Sequence, residues 1–196
     1  MTQLGDLIDL ETGERKYLDR EERQAFKNAI QYMKPKAKLY CSMLYYTGCR
    51  LSEALEVTPN ALHYDRGLVR FRTLKQKAHK PSVYRMVELP QEYLAALESE
   101  YQAESKKGKR VGKQRIWDFT SRMAAKYVAQ AMERAGIEGK RANARGLRHS
   151  MGVMLALDKV PVNVIADILG HKDIKNTLIY MQILGEDRRQ LISNVW

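Results

Sequence analysis

Residues 36–47 carry apolar side chains on nearly every face of a predicted helix, Leu39 and Leu44 among them. Pro35 before this segment and Gly48 after it are typical of helix boundaries. A helix that is apolar all round has to be enclosed by other elements. Hydrophobic residues make up 44% of the chain, which is enough to build that enclosure. The segment therefore predicts a buried central helix.

Further helices are predicted on both sides of this segment. Asp19, with Glu22 three residues later, forms a capping-box pattern at the start of the first one. Glycines and prolines mark most of the other helix ends. The predicted helices cover about residues 20–33, 50–57, 91–104, 120–135, 145–157 and 161–170, a short segment carrying Tyr180, and residues 186–194.

Three short strands are predicted between the helical regions, over residues 62–64, 68–73 and 83–89. The second and third alternate well enough to pair as a hairpin, and their long basic connection reads LKQKAHKPS. Helices, then a small three-stranded antiparallel sheet, then helices again predict a mostly helical α+β fold.

The length of 196 residues suits one domain, or one domain with a small appendage. Residues 1–17 are polar and contain two glycines, so we expect a poorly ordered N-terminal arm. The domain itself is expected to span residues 18–182. Residues 183–196 form a C-terminal tail with apolar side chains, which could dock on a neighbouring protomer or pack on its own core.

The chain is strongly basic, with a formal net charge of +11. Such an excess favours a polyanionic partner, either nucleic acid or an anionic membrane surface. No segment is long and apolar enough to span a bilayer, and the N-terminus lacks the apolar core of a signal peptide. Cys41 and Cys49 are interpreted as reduced core residues of a cytoplasmic protein. Nucleic acid is therefore favoured over a membrane.

One segment, residues 105–115, contains six basic residues in eleven. Two interpretations stay open: a solvated flexible loop, or a contact with the phosphate backbone of DNA. The candidate contact residues are Lys106, Lys107, Lys109 and Arg110.

Residues 145–180 hold the polar groups that most suggest chemistry. Arg148 is followed directly by His149, the tripeptide LGH occupies 169–171, and Tyr180 lies nine residues after that last histidine. Singly, these groups have ordinary interpretations as a solvated arginine, a helix C-cap and a half-buried tyrosine. Together, an arginine clamp, a neutral hydrogen-bond donor and a phenol suit attack on a phosphodiester.

Four motifs resemble those of the tyrosine recombinases, or phage-type integrases: TGCRLSEAL at 47–55, GLRHS at 146–150, LGH at 169–171, and Tyr180. The resemblance covers about residues 19–182. It implies the catalytic-domain fold of that family and a site-specific DNA recombinase working through a covalent 3′-phosphotyrosine. Because the first motif lies so early, the chain resembles short single-domain members such as the fimbrial-switch invertases. It could equally be a fragment of a longer protein.

The resemblance also implies roles for individual residues. Arg50 and Arg148 match the paired arginines that hold the non-bridging oxygens of the scissile phosphate. His171 matches the position that donates a hydrogen bond to the same phosphate, and Tyr180 matches the nucleophile. Guanidinium groups suit phosphate binding because their donors bind the oxygens in pairs.

Lys75, near the tip of the predicted hairpin, matches the lysine that protonates the departing 5′ oxygen. Lys77 and Lys80 lie in the same connection and are alternative candidates for that role or for DNA binding. Glu53 matches an acidic residue that orients Arg50. His149 has no role implied by the resemblance, and we interpret it as a packing residue or an indirect hydrogen-bond partner.

Arg145 departs from the family pattern, which usually has His or Lys three residues before the second arginine. An arginine cannot accept a proton as a general base. Its position still predicts a catalytic residue, without the proton-accepting role of the usual His or Lys.

No cofactor is implied. The histidines lack a metal-ligand spacing such as HExxH, and the chain has no GxxxxGK[ST] phosphate loop. The implied partner is double-stranded DNA, with a homo-tetramer on DNA and a monomer in isolation. Two alternatives stay open: a type IB topoisomerase-like enzyme that relaxes supercoils, and a DNA-binding regulator that has lost catalysis. The intact set of arginines, histidine and tyrosine argues against the regulator.

Overall fold

A computed structural model of the chain describes residues 3–73, 83–106 and 115–182. Over these residues the fold is mostly helical with one small antiparallel sheet, as predicted. The helices are α1 (Arg20–Ala29), α2 (Pro35–Thr47), α3 (Leu51–Leu55), α4 (Gln91–Lys106), α5 (Ser121–Arg134), α6 (Ala144–Leu157), α7 (Val162–Leu169) and α8 (Lys175–Met181). The strands are β1 (Leu62–His63), β2 (Leu68–Arg72) and β3 (Tyr84–Glu88).

Helix α2 lies at the centre of the core, as its sequence predicted. Tyr40 and Met43 are fully buried, and helices α3, α4, α5 and α6 pack around them. The Tyr40 hydroxyl donates a hydrogen bond to the carbonyl of Leu51 over 2.9 Å. Gly48 ends the helix with a φ of 60°, and a Cβ there would lie 2.9 Å from the side chain of Met151. Glycine at this position therefore permits the close approach of α2 and α6.

The sheet has the strand order β1-β2-β3, with Leu62 opposite Val69 and Val69 opposite Val87. Val69, Phe71 and Val87 are buried. One face of the sheet therefore covers the core, and β3 packs against α7 near the cavity described below.

Residues 3–17 of the N-terminal arm pack against the domain, so the expectation that this stretch is poorly ordered is wrong. Residues Gln3–Asp6 form a short 3-10 helix, and Ile8 pairs with Arg15 in an isolated antiparallel bridge. Leu7 is fully buried in an apolar cluster that also contains Tyr180. A single well-placed apolar side chain anchors a stretch whose average composition is polar.

Several residues singled out from the sequence lie outside the described residues. They are Lys75, Lys77 and Lys80 in segment 74–82, Lys107, Lys109 and Arg110 in segment 107–114, and the tail 183–196. Lys106 is the last residue of α4.

Cys41 and Cys49 are both free and buried, as predicted. Burial raises the pKa of each thiol to about 12. Within the described part of the chain, no helix has the length and apolar character needed to cross a membrane.

Candidate active site

Five of the six residues predicted to be catalytic line one open cavity of about 570 Å³, namely Arg50, Arg145, Arg148, His171 and Tyr180. The sixth, Lys75, belongs to the connection between β2 and β3, outside the described residues. The other lining residues are Asp6, Leu51, Ala144, His149, Asn176 and Ile179.

Arg148 is held on the first half of α6, whose start is capped by the side chain of Asn143. Its guanidinium is nearly buried and donates to the carbonyls of Gly48, over 2.9 Å, and Leu169, over 2.6 Å. Burial, together with the nearby charge of Arg50, lowers the pKa of Arg148 to about 10. It therefore remains a cation at neutral pH, and two carbonyls at the C-terminal ends of α2 and α7 fix the direction of its guanidinium.

Arg50 precedes α3 and is oriented by Glu53. One Glu53 oxygen accepts from the Arg50 backbone N–H over 2.9 Å, and the other accepts from its guanidinium over 2.7 Å. The Arg50 side chain is 31% exposed, so it faces the cavity while one side rests on a buried carboxylate. The segment between Gly48 and α3 thus brings Arg50 beside Arg148.

Arg85 on β3 also contacts Glu53, and the sequence analysis did not single it out. Its guanidinium is buried, donates to Glu53 over 2.7 Å and to the carbonyl of Ile168 over 3.0 Å, and lies 5.0 Å from the centre of the Phe71 ring. Burial of the Glu53 carboxyl acts to raise its pKa, but the hydrogen bond and charge of Arg85, with those of Arg50, outweigh it. The pKa of Glu53 is therefore lowered, and the group is an anion shared by two arginines.

We expect Arg85→Met to lower the free energy of unfolding by about 3 kcal/mol, because removing one partner of a buried ion pair leaves the other charge poorly compensated. Urea denaturation measures this loss. As the control, the double variant Glu53→Gln/Arg85→Met should lose less stability than the sum of the two single variants. Additive losses would show that the two side chains are not coupled.

His171 follows Gly170, whose φ of 65° ends α7 in the left-handed conformation. Its Nδ1 lies 2.8 Å from the Thr177 hydroxyl, and its ring stacks on Tyr180 at an interplanar angle of 14°. Burial, with the positive charges of Arg148 and Arg50, lowers the pKa of His171 to about 3. The imidazole is therefore neutral at physiological pH and can serve as a hydrogen-bond donor.

Tyr180 on α8 is fully buried, and its ring lies directly on the backbone of α6 at Gly152. A Cβ at position 152 would be 2.4 Å from Tyr180 Cζ. Burial raises the pKa of the phenol to about 12, against the lowering effect of Arg148 and Arg145. The hydroxyl oxygen lies 3.1 Å from His149 Nδ1.

His149 therefore contacts the Tyr180 hydroxyl directly, which its sequence context did not indicate. Arg145 Nε donates to His149 Nε2 over 3.1 Å, and Arg145 Nη2 donates to Asp6 over 3.1 Å. Burial, with the charges of Arg145 and Arg148, lowers the pKa of His149 to about 4. The Arg145 side chain is 71% exposed, so it lies at the rim of the cavity, unlike Arg148.

This arrangement suits a phosphate diester. Arg50, Arg145 and Arg148 supply positive charge, His171 is a neutral donor, and Tyr180 is a potential nucleophile. Among the residues that the structure describes, no group of three His, Cys, Asp or Glu side chains is placed to hold a metal ion.

Comparison with known proteins identifies the class. Residues 16–186 match the Phage integrase family, and the chain belongs to that family. The fold is that of tyrosine recombinase catalytic domains.

The chain is similar to a resolvase of Escherichia coli, at 26% identity over 175 residues that cover 76% of this chain and 67% of the relative. It is also similar to the type 1 fimbriae regulatory protein FimE of Escherichia coli (strain K12), at 28% identity over 171 residues and 85% of each chain. The crystal structure of XerH site-specific recombinase bound to difH substrate has a TM-score of 0.73 and 21% identity, and covers 88% of this chain. The chain spans 53% of that XerH chain and 67% of the resolvase.

Proposed function

We propose that this protein is a site-specific DNA recombinase in which Tyr180 forms a covalent 3′-phosphotyrosine with the cleaved strand. The observation that carries the proposal is the convergence of Arg50, Arg148, His171 and Tyr180 on one open cavity. Family membership supports it, as do relatives named as a resolvase and as tyrosine recombinases.

In the proposed reaction the Tyr180 oxygen attacks the scissile phosphorus, and the bond from phosphorus to the 5′ oxygen breaks. The phenolic proton leaves to water, and the 5′ oxygen takes a proton from Lys75, the role that the family resemblance implies. Arg50 and Arg148 bind the non-bridging oxygens and stabilise the charge of the transition state. Because the phosphotyrosine conserves the energy of the phosphodiester, a 5′-hydroxyl can reverse the step without energy from a nucleotide cofactor.

The proposed partner is double-stranded DNA, with four protomers assembled on two sites. The formal net charge of +11 supports a polyanionic partner. The XerH structure, which contains its difH substrate, supports DNA as that partner. Recombination requires assembly, whereas topoisomerase-like relaxation of supercoils requires one protomer.

A nicked suicide duplex carrying candidate repeat sites from the host replicon tests the proposal. The short strand diffuses away after cleavage, so the covalent product accumulates. We expect a protein–DNA band on a denaturing gel and, after digestion, a nucleotide-modified peptide that contains Tyr180. Binding without any covalent band would indicate a regulator, and relaxation of plasmids without paired sites would indicate a topoisomerase-like enzyme.

The salt dependence of DNA binding tests the basic segment 105–115. We expect that neutralising Lys106, Lys107, Lys109 and Arg110 reduces the slope of log affinity against log salt, by about 0.9 for each DNA phosphate that these side chains neutralise. A matched variant that exchanges Lys for Arg and Arg for Lys at the same positions keeps the charge and should keep the slope. An unchanged slope in the neutralised variant would identify a solvated linker.

A further inference from the structure

A row of hydrogen bonds runs from the rim of the cavity to the hydroxyl of Tyr180. Asp6 accepts from Arg145 Nη2, Arg145 Nε donates to His149 Nε2, and His149 Nδ1 lies 3.1 Å from the Tyr180 oxygen. His149 is the one member of this row that touches the nucleophilic atom, and it is buried on α6 beside Arg148. Neither the family resemblance nor the proposed reaction gives it a role.

The direction of these hydrogen bonds follows from Arg145. A guanidinium can only donate, so the contact with Arg145 requires that His149 Nε2 carries a lone pair. In a neutral imidazole the proton is then on Nδ1, which is the nitrogen that faces Tyr180. Burial and the charges of Arg145 and Arg148 keep the ring neutral. His149 is therefore a donor toward the phenol oxygen and has no lone pair there to accept the phenolic proton.

We propose that His149 is a catalytic residue that donates a hydrogen bond from Nδ1 to the Tyr180 oxygen whenever that oxygen carries negative charge. This inference rests on the proposed function. A hydrogen bond to an ionised acceptor is roughly twice as strong as one between neutral groups, so the donor favours the phenolate over the phenol. It counteracts part of the burial that makes Tyr180 a weak acid.

The donor acts in both halves of the reaction. In cleavage, the phenolic proton leaves to water of the open cavity, the phenolate oxygen bonds to phosphorus, and the bond to the 5′ oxygen breaks. In rejoining, a 5′-hydroxyl returns its proton to the group that protonated it during cleavage and attacks phosphorus, and the Tyr180 oxygen departs with the electron pair and then takes a proton from water. The His149 Nδ1–H stays on the imidazole throughout, and its hydrogen bond stabilises the departing phenolate.

The test compares His149→Asn with His149→Leu in single-turnover cleavage of the suicide duplex. The amide nitrogen of Asn can take the place of Nδ1 as a donor, but Asn cannot accept a proton. We expect Asn to cleave within about tenfold of the wild type and Leu to lose roughly a hundred- to a thousandfold, the scale of one donor to transition-state charge. His63→Leu, on the outer strand β1, is the matched control and should cleave like the wild type.

Equal losses in the Asn and Leu variants, with DNA binding intact, would overturn the donor role, since the donor that Asn restores would then bring no gain in rate. A Leu variant as fast as the wild type would overturn it as well. A second readout does not depend on activity: the ¹⁵N and ring-proton NMR signals of His149 in the free protein report its tautomer. We expect the Nδ1–H form, and an Nε2–H form would refute the proposal.

Failure of the proposed function gives a different pattern. If the wild-type protein never forms a covalent product, both the recombinase activity and the catalytic role of His149 are refuted, whichever tautomer the NMR signals show. The donor role is supported only when three results occur together. The free protein has the Nδ1–H tautomer, the wild type forms the covalent product, and the Asn variant retains cleavage.

Discussion

Tyr180→Phe is expected to abolish covalent attachment to DNA while leaving DNA binding nearly intact. The substitution removes the oxygen that we propose as the nucleophile, and it removes no charge. The phenyl ring retains its place on Gly152 and its stacking on His171, so the fold should persist. A denaturing gel with the suicide duplex measures attachment, and a gel shift with the same duplex measures binding.

Tyr17→Phe is the matched control, because Tyr17 packs against the same apolar cluster as Tyr180. We expect this variant to form the covalent product at the wild-type rate. A covalent band that persists in Tyr180→Phe would point to another tyrosine and contradict the assignment.

The second large effect is expected at Arg148. Arg148→Ala should slow single-turnover cleavage by at least a hundred- to a thousandfold, because it removes a donor to transition-state charge. Since its guanidinium also bonds the carbonyls of Gly48 and Leu169, folding has to be checked by circular dichroism. Arg148→Lys keeps the charge without the paired donors, and it should also be strongly impaired.

Arg145 provides the comparison within the same helix. Its exposed position at the rim predicts that Arg145→Ala costs less than Arg148→Ala, measured at matched DNA occupancy. Arg145→His restores the residue usual in the family and should keep cleavage activity. If Arg145→His were as inactive as Arg148→Ala while still binding DNA, Arg145 would itself be an indispensable clamp.

The parts of the fold that the sequence predicted are those with local signals. The capping box of Asp19 and Glu22 is present at the start of α1, and Gly48 and Gly170 end their helices in the left-handed conformation. The residues predicted around Arg148 and Tyr180 also meet in one cavity. Helix caps and motif spacing depend on neighbours in the chain, so they can be read without the tertiary structure.

Arg85 could not be predicted in this way because β3 buries a charged side chain and exposes apolar ones. Tyr84 and Met86 are exposed, whereas Arg85 shares the buried face with Val87. An arginine is tolerated there because Glu53, 32 positions away, supplies the opposite charge. Such a pairing depends on long-range packing, and neither strand alternation nor composition indicates it.

The contact of His149 with Tyr180 and the packing of the N-terminal arm could not be predicted for a related reason. Which nitrogen of His149 faces Tyr180 depends on the approach of α8 to α6. The burial of Leu7 likewise depends on an apolar cluster built from residues near the other end of the chain, from Val153 onward. Each contact joins segments that are far apart in sequence, so the residues around either segment do not indicate it.

The contact of Tyr180 with Gly152 has a mechanical consequence. With no side chain between them, the Tyr180 ring rests against the backbone of the same helix that carries Arg148 and Arg145. A shift of α6 as a rigid body would move Arg145 and Arg148 together without changing the distance between them, and it would also move the surface on which the Tyr180 ring rests. Under the proposed function, strain from bound DNA would change the spacing of Arg145 and Arg148 only by bending α6, so the stiffness of this one helix protects that spacing.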